Sequence, residues 1–243
     1  MSLAQKRKRI DVPTGTERLA ELFDRRLDEI QLVYESTVDV DYVVLCRRLS
    51  EFVRVDGADA SDIRRMIAGY YRIRRDKTFA DRFIDIYRAS RNNAESTTTL
   101  SFPDAVDLDA IANVFNDAQR RLSDESGYYE FSFTSKLLNL IDRRFPIYDS
   151  NVDTTLKRLK ILRLSSYPNN SLMYAEWTTL TNVVLRQCNK RLQDLRDRVF
   201  PRRFAGNISL SKVLDTALFS LARFEKNSGR WIQNVFGATD PRE

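Results

Sequence analysis

Apolar residues return at helical spacing along almost the whole chain, and that period leaves few architectures open. Over 17–35 the residues Leu19, Leu22, Phe23, Leu27, Ile30 and Val33 fall on one face. Over 107–122 the same holds for Leu108, Ile111, Phe115, Ala118 and Leu122. Residues 172–195 carry Trp177, Leu180, Val184, Cys188 and Leu195, and residues 209–224 carry Val213, Leu214, Ala217, Leu218, Leu221 and Phe224. Steps of three and four residues build the stripe that a helix buries against a neighbour. The main strand-like run, "VDVDYVVLC", is β-branched but passes into "RRLSEFV", which suits a buried helix. The fold class read from this pattern is all-α, with roughly eight to ten helices.

The chain has 243 residues, enough for one large domain or for two lobes around a cleft. Polar stretches at 55–61, 91–104, 123–127, 165–171 and 201–207 read as loops. The longest, 91–104, closes at Pro103 and is the expected lobe boundary in an otherwise single all-α unit over 1–243. Residues 105–200 would then form one lobe. Residues 1–16, with "KRKR" at 6–9, are expected to be a flexible basic arm. There is no run of about 18 apolar residues, so no membrane helix is expected. The first ten residues lack the apolar core of a signal peptide.

Composition removes most catalytic chemistry. There is no histidine, so Ser-His-Asp, Cys-His and His-bearing zinc sites are excluded. Two cysteines, Cys46 and Cys188, cannot hold an iron–sulfur cluster alone. Both sit in apolar helical patterns, and free thiols in a reducing, cytoplasmic setting are expected. The seven glycines are scattered singly, so neither a Walker A loop nor a dinucleotide fingerprint exists. No metal and no cofactor is expected. Any chemistry must come from Lys, Asp, Glu, Arg, Tyr or Ser.

The formal charge is +6, from 40 basic and 34 acidic residues, which favours a polyanionic partner. Projected as a helix, residues 63–75 place Ile63, Met66, Ile67, Tyr70, Tyr71 and Ile73 on one half. Arg64, Arg65, Arg72 and Arg75 fall within one arc of about 100° on the other. Such an arc can address phosphates, or it can be a solvated face paired with acids such as Asp62 and Asp76. Lys157, Arg158, Lys160 and Arg163 offer a second basic run. Trp177 and Trp231 read as core anchors.

The stretch "SFTSKLLNLIDRRFPIYDSNV", residues 132–152, carries the sharpest candidates. Ser132 or Thr134 is the expected N-cap of a helix whose buried stripe is Leu137, Leu138, Leu140 and Ile141. That places Lys136 in the first turn, where the helix dipole opposes a cation and favours the neutral amine. A neutral amine is a nucleophile able to form a Schiff base with a sugar C1′. Tyr128, Tyr129, Phe131, Phe133 and Tyr148 could wall it with apolar surface. Asp149 is the expected cap of the next helix, beginning near Ser150. From Lys136 to Asp142 a helix descends roughly 10 Å, and seven loop residues span up to about 23 Å, so the chain can return to the level of Lys136.

A lysine near a helix start, a return loop and a hydrophobic–Asp–small–x–Val element, here "IYDSNV", resemble the helix-hairpin-helix DNA glycosylase superfamily, near its 8-oxoguanine glycosylase branch. The likeness is local, within 127–152. It implies a two-lobed helical fold with the active site between the lobes. It also implies a DNA partner whose damaged or modified base is flipped out of the duplex, excised and followed by abasic-site lyase chemistry. Lys136 would attack C1′ and Asp149 would steady the oxocarbenium charge. Two other classes remain open: a non-catalytic nucleic-acid-binding protein on the same scaffold, and an interaction subunit of a defence or restriction system.

Overall fold

Three aspartates fix helix starts. The Asp11 carboxylate accepts from the Thr14 amide, with Pro13 in the first turn, and opens α1 (Val12–Arg25). Asp107 accepts from the Ala110 amide and opens α5 (Leu108–Leu122). Asp149 accepts from the Asn151 and Val152 amides and opens α7 (Ser150–Arg158). The other helices are α2 (Val40–Arg54), α3 (Ala60–Tyr70), α4 (Lys77–Asn92), α6 (Phe131–Ile141), α8 (Ser171–Gln187), α9 (Asn189–Val199) and α10 (Leu210–Ser228). The computed structural model describes residues 10–28, 30, 31, 40–54, 60–71, 77–92, 100, 102, 103, 107–123, 131–162, 171–200, 205, 206 and 208–228. Among these the fold is all-α. Ten helices and no strand are present, with one isolated antiparallel bridge between Ile10 and Leu162.

The chain forms two compact units. The first comprises Met1–Val38, Asp149–Pro168 and Glu176–Glu243, and the second Asp39–Tyr148 and Asn169–Ala175. This differs from the expected single unit with a boundary in 91–104, because that segment lies inside the second unit. The expected lobe 105–200 is itself divided, with Lys136 in the second unit and Asp149 in the first. The division falls at a helix cap, where the chain changes partners without a change in composition.

In the second unit α4 is the hub, packing on α2, α3, α5 and α6, while α5 also packs on α6. The core is aromatic. Phe115 and Phe131 lie with ring centroids 4.7 Å apart, Phe115 and Tyr174 at 4.3 Å, and Phe131 meets Tyr148 edge-on at 5.6 Å. Each such fully buried ring contributes about 1.5–3 kcal/mol by leaving water.

In the first unit α10 packs on α7 and α9, and α9 on α1. Every residue from Ser211 to Leu218 is buried, including the ion pair Lys212–Asp215 at 3.0 Å. The N-terminal segment is stitched to the end of α7 and to α8. Ile10 is fully buried and its N–H donates to the Glu176 carboxylate at 3.0 Å. The Arg18 guanidinium donates to the Leu159 carbonyl. Residues 10–16 are therefore part of the fold rather than of a flexible arm; the "KRKR" at 6–9 lies outside the described residues.

The element boundaries depart from periodicity in three places. The helix expected over 17–35 starts earlier, at its Asp11 cap, and is interrupted at Arg26 (φ −129°, ψ 21°), although Ile30 is buried as expected. The helix expected over 172–195 is two helices broken at Cys188 (φ −98°, ψ 16°), with no proline or glycine to announce the break. The helix expected over 63–75 ends at Tyr70.

Candidate functional site

α6 begins at Phe131, one residue before Ser132 and three before Thr134, the two expected caps. The reason is packing: Phe131 is buried against Phe115, Tyr148 and Tyr174, and that burial draws it into the helix. Ser132 and Thr134 are thus interior residues. Lys136 sits in the second turn, where the dipole effect has largely faded.

The Lys136 side chain is held by ring faces. Its Nζ lies 4.9 Å from the Phe133 centroid and 5.4 Å from that of Tyr71. Phe133 in turn packs edge-on against Phe79 at 5.3 Å. Ring faces attract an ammonium, by about 0.5–1 kcal/mol at an exposed site. The aromatic walls expected around the lysine are therefore real for Phe133, and Tyr71 joins it from α3. Tyr148 is fully buried in the core rather than on a wall. Tyr128 and Tyr129 lie outside the described residues.

The return loop is built as the reading of 143–149 requires. Asn139 Nδ2 donates to the Phe145 carbonyl at 2.7 Å, and the Tyr174 hydroxyl donates to the Pro146 carbonyl at 2.8 Å. The Ser135 hydroxyl accepts from the Tyr148 amide at 3.0 Å and shares its proton between the carbonyls of Ser132 (2.8 Å) and Tyr148 (3.1 Å). Phe145, Ile147 and Tyr148 are buried beneath these ties. The loop thus runs back along α6 and reaches its second turn one residue before Asp149. Asp149 itself is the α7 cap, its Oδ1 accepting from the amides of Asn151 (2.9 Å) and Val152 (3.0 Å).

A second cation stands on the same helix path. Arg143 packs over the Tyr42 ring at 5.0 Å and donates to the Tyr42 hydroxyl and to the carbonyl of Asn139 at 3.3 Å. The Tyr42 hydroxyl also meets Asn139 Oδ1 at 2.7 Å. Neither Arg143 nor Tyr42 was marked by the sequence pattern, since one follows a helix end and the other is one apolar residue among many.

The basic candidates divide. Arg64 pairs with Asp81 (Nε to Oδ1, 2.6 Å) and Arg65 with Asp62 at 3.7 Å, both on the α3 side of the second unit. Arg72 and Arg75 lie outside the described residues, as do Arg163 and Trp231. Lys157 pairs with Asp153 at 2.6 Å, while Arg158 and Lys160 are exposed at the end of α7. Trp177 is a core residue, as expected. Both cysteines are free thiols; burial beside Asp24 pushes the Cys188 thiol up from its ordinary value. No cluster of His, Cys, Asp and Glu able to hold a metal is present among the described residues, and no helix there is long and apolar enough to cross a membrane. Comparison with family models, curated proteins and solved structures finds no match for the chain.

Proposed function

We propose that the protein acts on DNA as an N-glycosylase with abasic-site lyase capacity, Lys136 attacking C1′ of a flipped nucleotide and Asp149 assisting. The observation that carries this reading is the hydrogen-bonded return of the chain from the end of α6 to Ser135, beside Lys136, immediately before Asp149. It supplies the helix–return–helix element on which the resemblance rests. Lys136 is partly exposed and stands against the aromatic surface of Tyr71 and Phe133, which suits a sugar and a displaced base. The amine would form a bond to C1′ as the glycosidic bond breaks, the base leaving with the bonding pair. Loss of an amine proton and opening of the C1′–O4′ bond, the ring oxygen taking a proton, would convert the resulting aminal to the imine that carries the lyase step. The free thiols suit a reducing cytoplasm.

A second reading is favoured by the same two residues. Ring faces hold the Lys136 side chain, and two amides occupy the Asp149 carboxylate. Both groups have structural duties, as a non-catalytic DNA-binding protein would allow.

Borohydride trapping separates the two. Duplexes carrying an abasic site or a panel of modified bases are incubated with the protein and reductant. The enzyme reading expects a covalent adduct that Lys136→Gln abolishes while the fold is kept. Salt-sensitive DNA binding without any adduct supports the second reading. Absence of both adduct and binding defeats the two together.

A further inference from the structure

In the second unit three tyrosines, Tyr42, Tyr70 and Tyr71, pack in ring contact beside Arg143 and Lys136. The Tyr42 and Tyr70 ring centroids are 5.9 Å apart, and those of Tyr70 and Tyr71 are 4.7 Å apart. Arg143 lies over the Tyr42 ring and Lys136 over the Tyr71 ring. Tyr42 and Tyr71 are buried, whereas Tyr70, Arg143 and Lys136 are each partly exposed. Lys136 is on α6, and Arg143 lies two residues past its end.

Each cation is held by a ring rather than extended into water, and the Tyr42 hydroxyl is committed to Asn139 and Arg143. This arrangement leaves one partly exposed aromatic side chain, Tyr70, whose two ring neighbours each carry a cation. Base–aromatic stacking tolerates any base, because every base has a π-face, and flanking cations address the backbone.

We infer that Tyr70, with Lys136 and Arg143 held over its two neighbouring rings, is a stacking subsite for one unpaired nucleotide of single-stranded nucleic acid. Tyr70 stacks the base, and the two cations take the phosphates on its two sides. Tyr42 and Tyr71 set the spacing of the three. The inference rests on nucleic acid being the ligand, as proposed above, but it needs no chemistry at Lys136.

The test is fluorescence anisotropy of a labelled oligothymidylate without abasic sites, at low and moderate salt, with the full chain. Tyr70→Leu keeps apolar volume but offers no stacking face, and Tyr70→Trp keeps the face. We expect Tyr70→Leu to weaken binding by roughly 5- to 100-fold, the loss of one base–aromatic stack. Tyr70→Trp should bind within a few-fold of wild type. Thermal unfolding of both variants checks that the fold is intact. No binding by the wild type, or equal binding by the Leu and Trp variants, overturns the inference. Trapping decides the glycosylase reading separately. Stacking without an adduct leaves this subsite standing alone, and an adduct with Tyr70→Leu binding as wild type removes the subsite alone.

Discussion

Replacing Gly15 by alanine sets two effects of known sign against each other. Gly15 is the fourth residue of α1, and alanine there gains about 1 kcal/mol of helix propensity. Its new Cβ would stand 3.0 Å from Ile161 Cγ2 and 3.0 and 3.1 Å from the two Leu180 methyls. Carbon atoms settle at about 3.5–4.0 Å, so three buried methyls must each move by a few tenths of an ångström. Ile161 and Leu180 are fully buried, and the N-terminal segment is pinned on either side by Ile10 and Arg18. Overpacking of this kind costs about 1–3 kcal/mol. The clash should win, leaving a net loss of about 0.5–2 kcal/mol. For a chain of this length that lowers Tm by roughly 1–8 °C, read from the helical circular-dichroism signal. Gly69→Ala is the internal control. Gly69 lies in the last turn of α3 with nothing within 4 Å of a new Cβ, so it should gain about 0.4–1 kcal/mol and raise Tm. In a Leu180→Ala background, where two of the three close atoms are gone, the Gly15→Ala penalty should shrink. A rise in Tm for Gly15→Ala like that of Gly69→Ala would refute the close-approach argument.

Lys160 has φ 53°, and the amides of Lys160 and Ile161 close the end of α7 on the carbonyls of Lys157 and Leu156. Lys160→Gly removes the strain of a side chain in the left-handed region and should raise stability by about 0.5–1 kcal/mol, read as a higher urea midpoint. Asp149→Asn keeps the α7 cap, so Tm should stay within a few degrees of wild type, whereas Asp149→Ala should cost about 0.5–2 kcal/mol. If Asp149 also carries catalytic charge, the Asn variant should lose base excision by at least about 100-fold; excision near the wild-type rate would leave it a cap alone. Cys188 should react with an aromatic disulfide reagent far more slowly than the partly exposed Cys46, and unfolding should make both fast. Because burial raises the Cys188 thiol above its unfolded value, its contribution to stability is intact below about pH 8.5 and fades as pH rises through the folded value. Cys188→Ala should flatten that part of the alkaline limb of an unfolding profile.

The sequence pattern revealed stripes, not partners. The faces of α5 and α10 and the cap at Asp149 were legible because each is a local feature, a period or an acid before an amide pair. The start of α6 was not, because Phe131 is drawn into the helix by Phe115, Tyr148 and Tyr174, two of them from other elements. α4 carries the same spacing in Phe79, Phe83, Ile84 and Tyr87, with Asp81, Arg82 and Asp85 between them. The return loop could be derived from chain lengths alone. The rings that hold Lys136 could not, since Tyr71 comes from 65 residues upstream, and periodicity says only that Tyr71 faces inward.

The stitching of the N-terminus has a consequence for synthesis. α1 emerges from the ribosome early, yet the groups that hold its segment, Leu159 and Glu176, follow 141 and 166 residues later. The long stretch Asp39–Tyr148 can meanwhile collapse on its own, needing only the segment that carries Tyr174 to finish its core. Vectorial production therefore imposes an order: the inserted portion matures first, and the outer portion stays open until α10 is released. During that interval Leu19, Leu22 and Phe23 are displayed on a helix with nothing to cover them. A nascent chain stalled before α8 is a natural client for a holding chaperone at its N-terminal end.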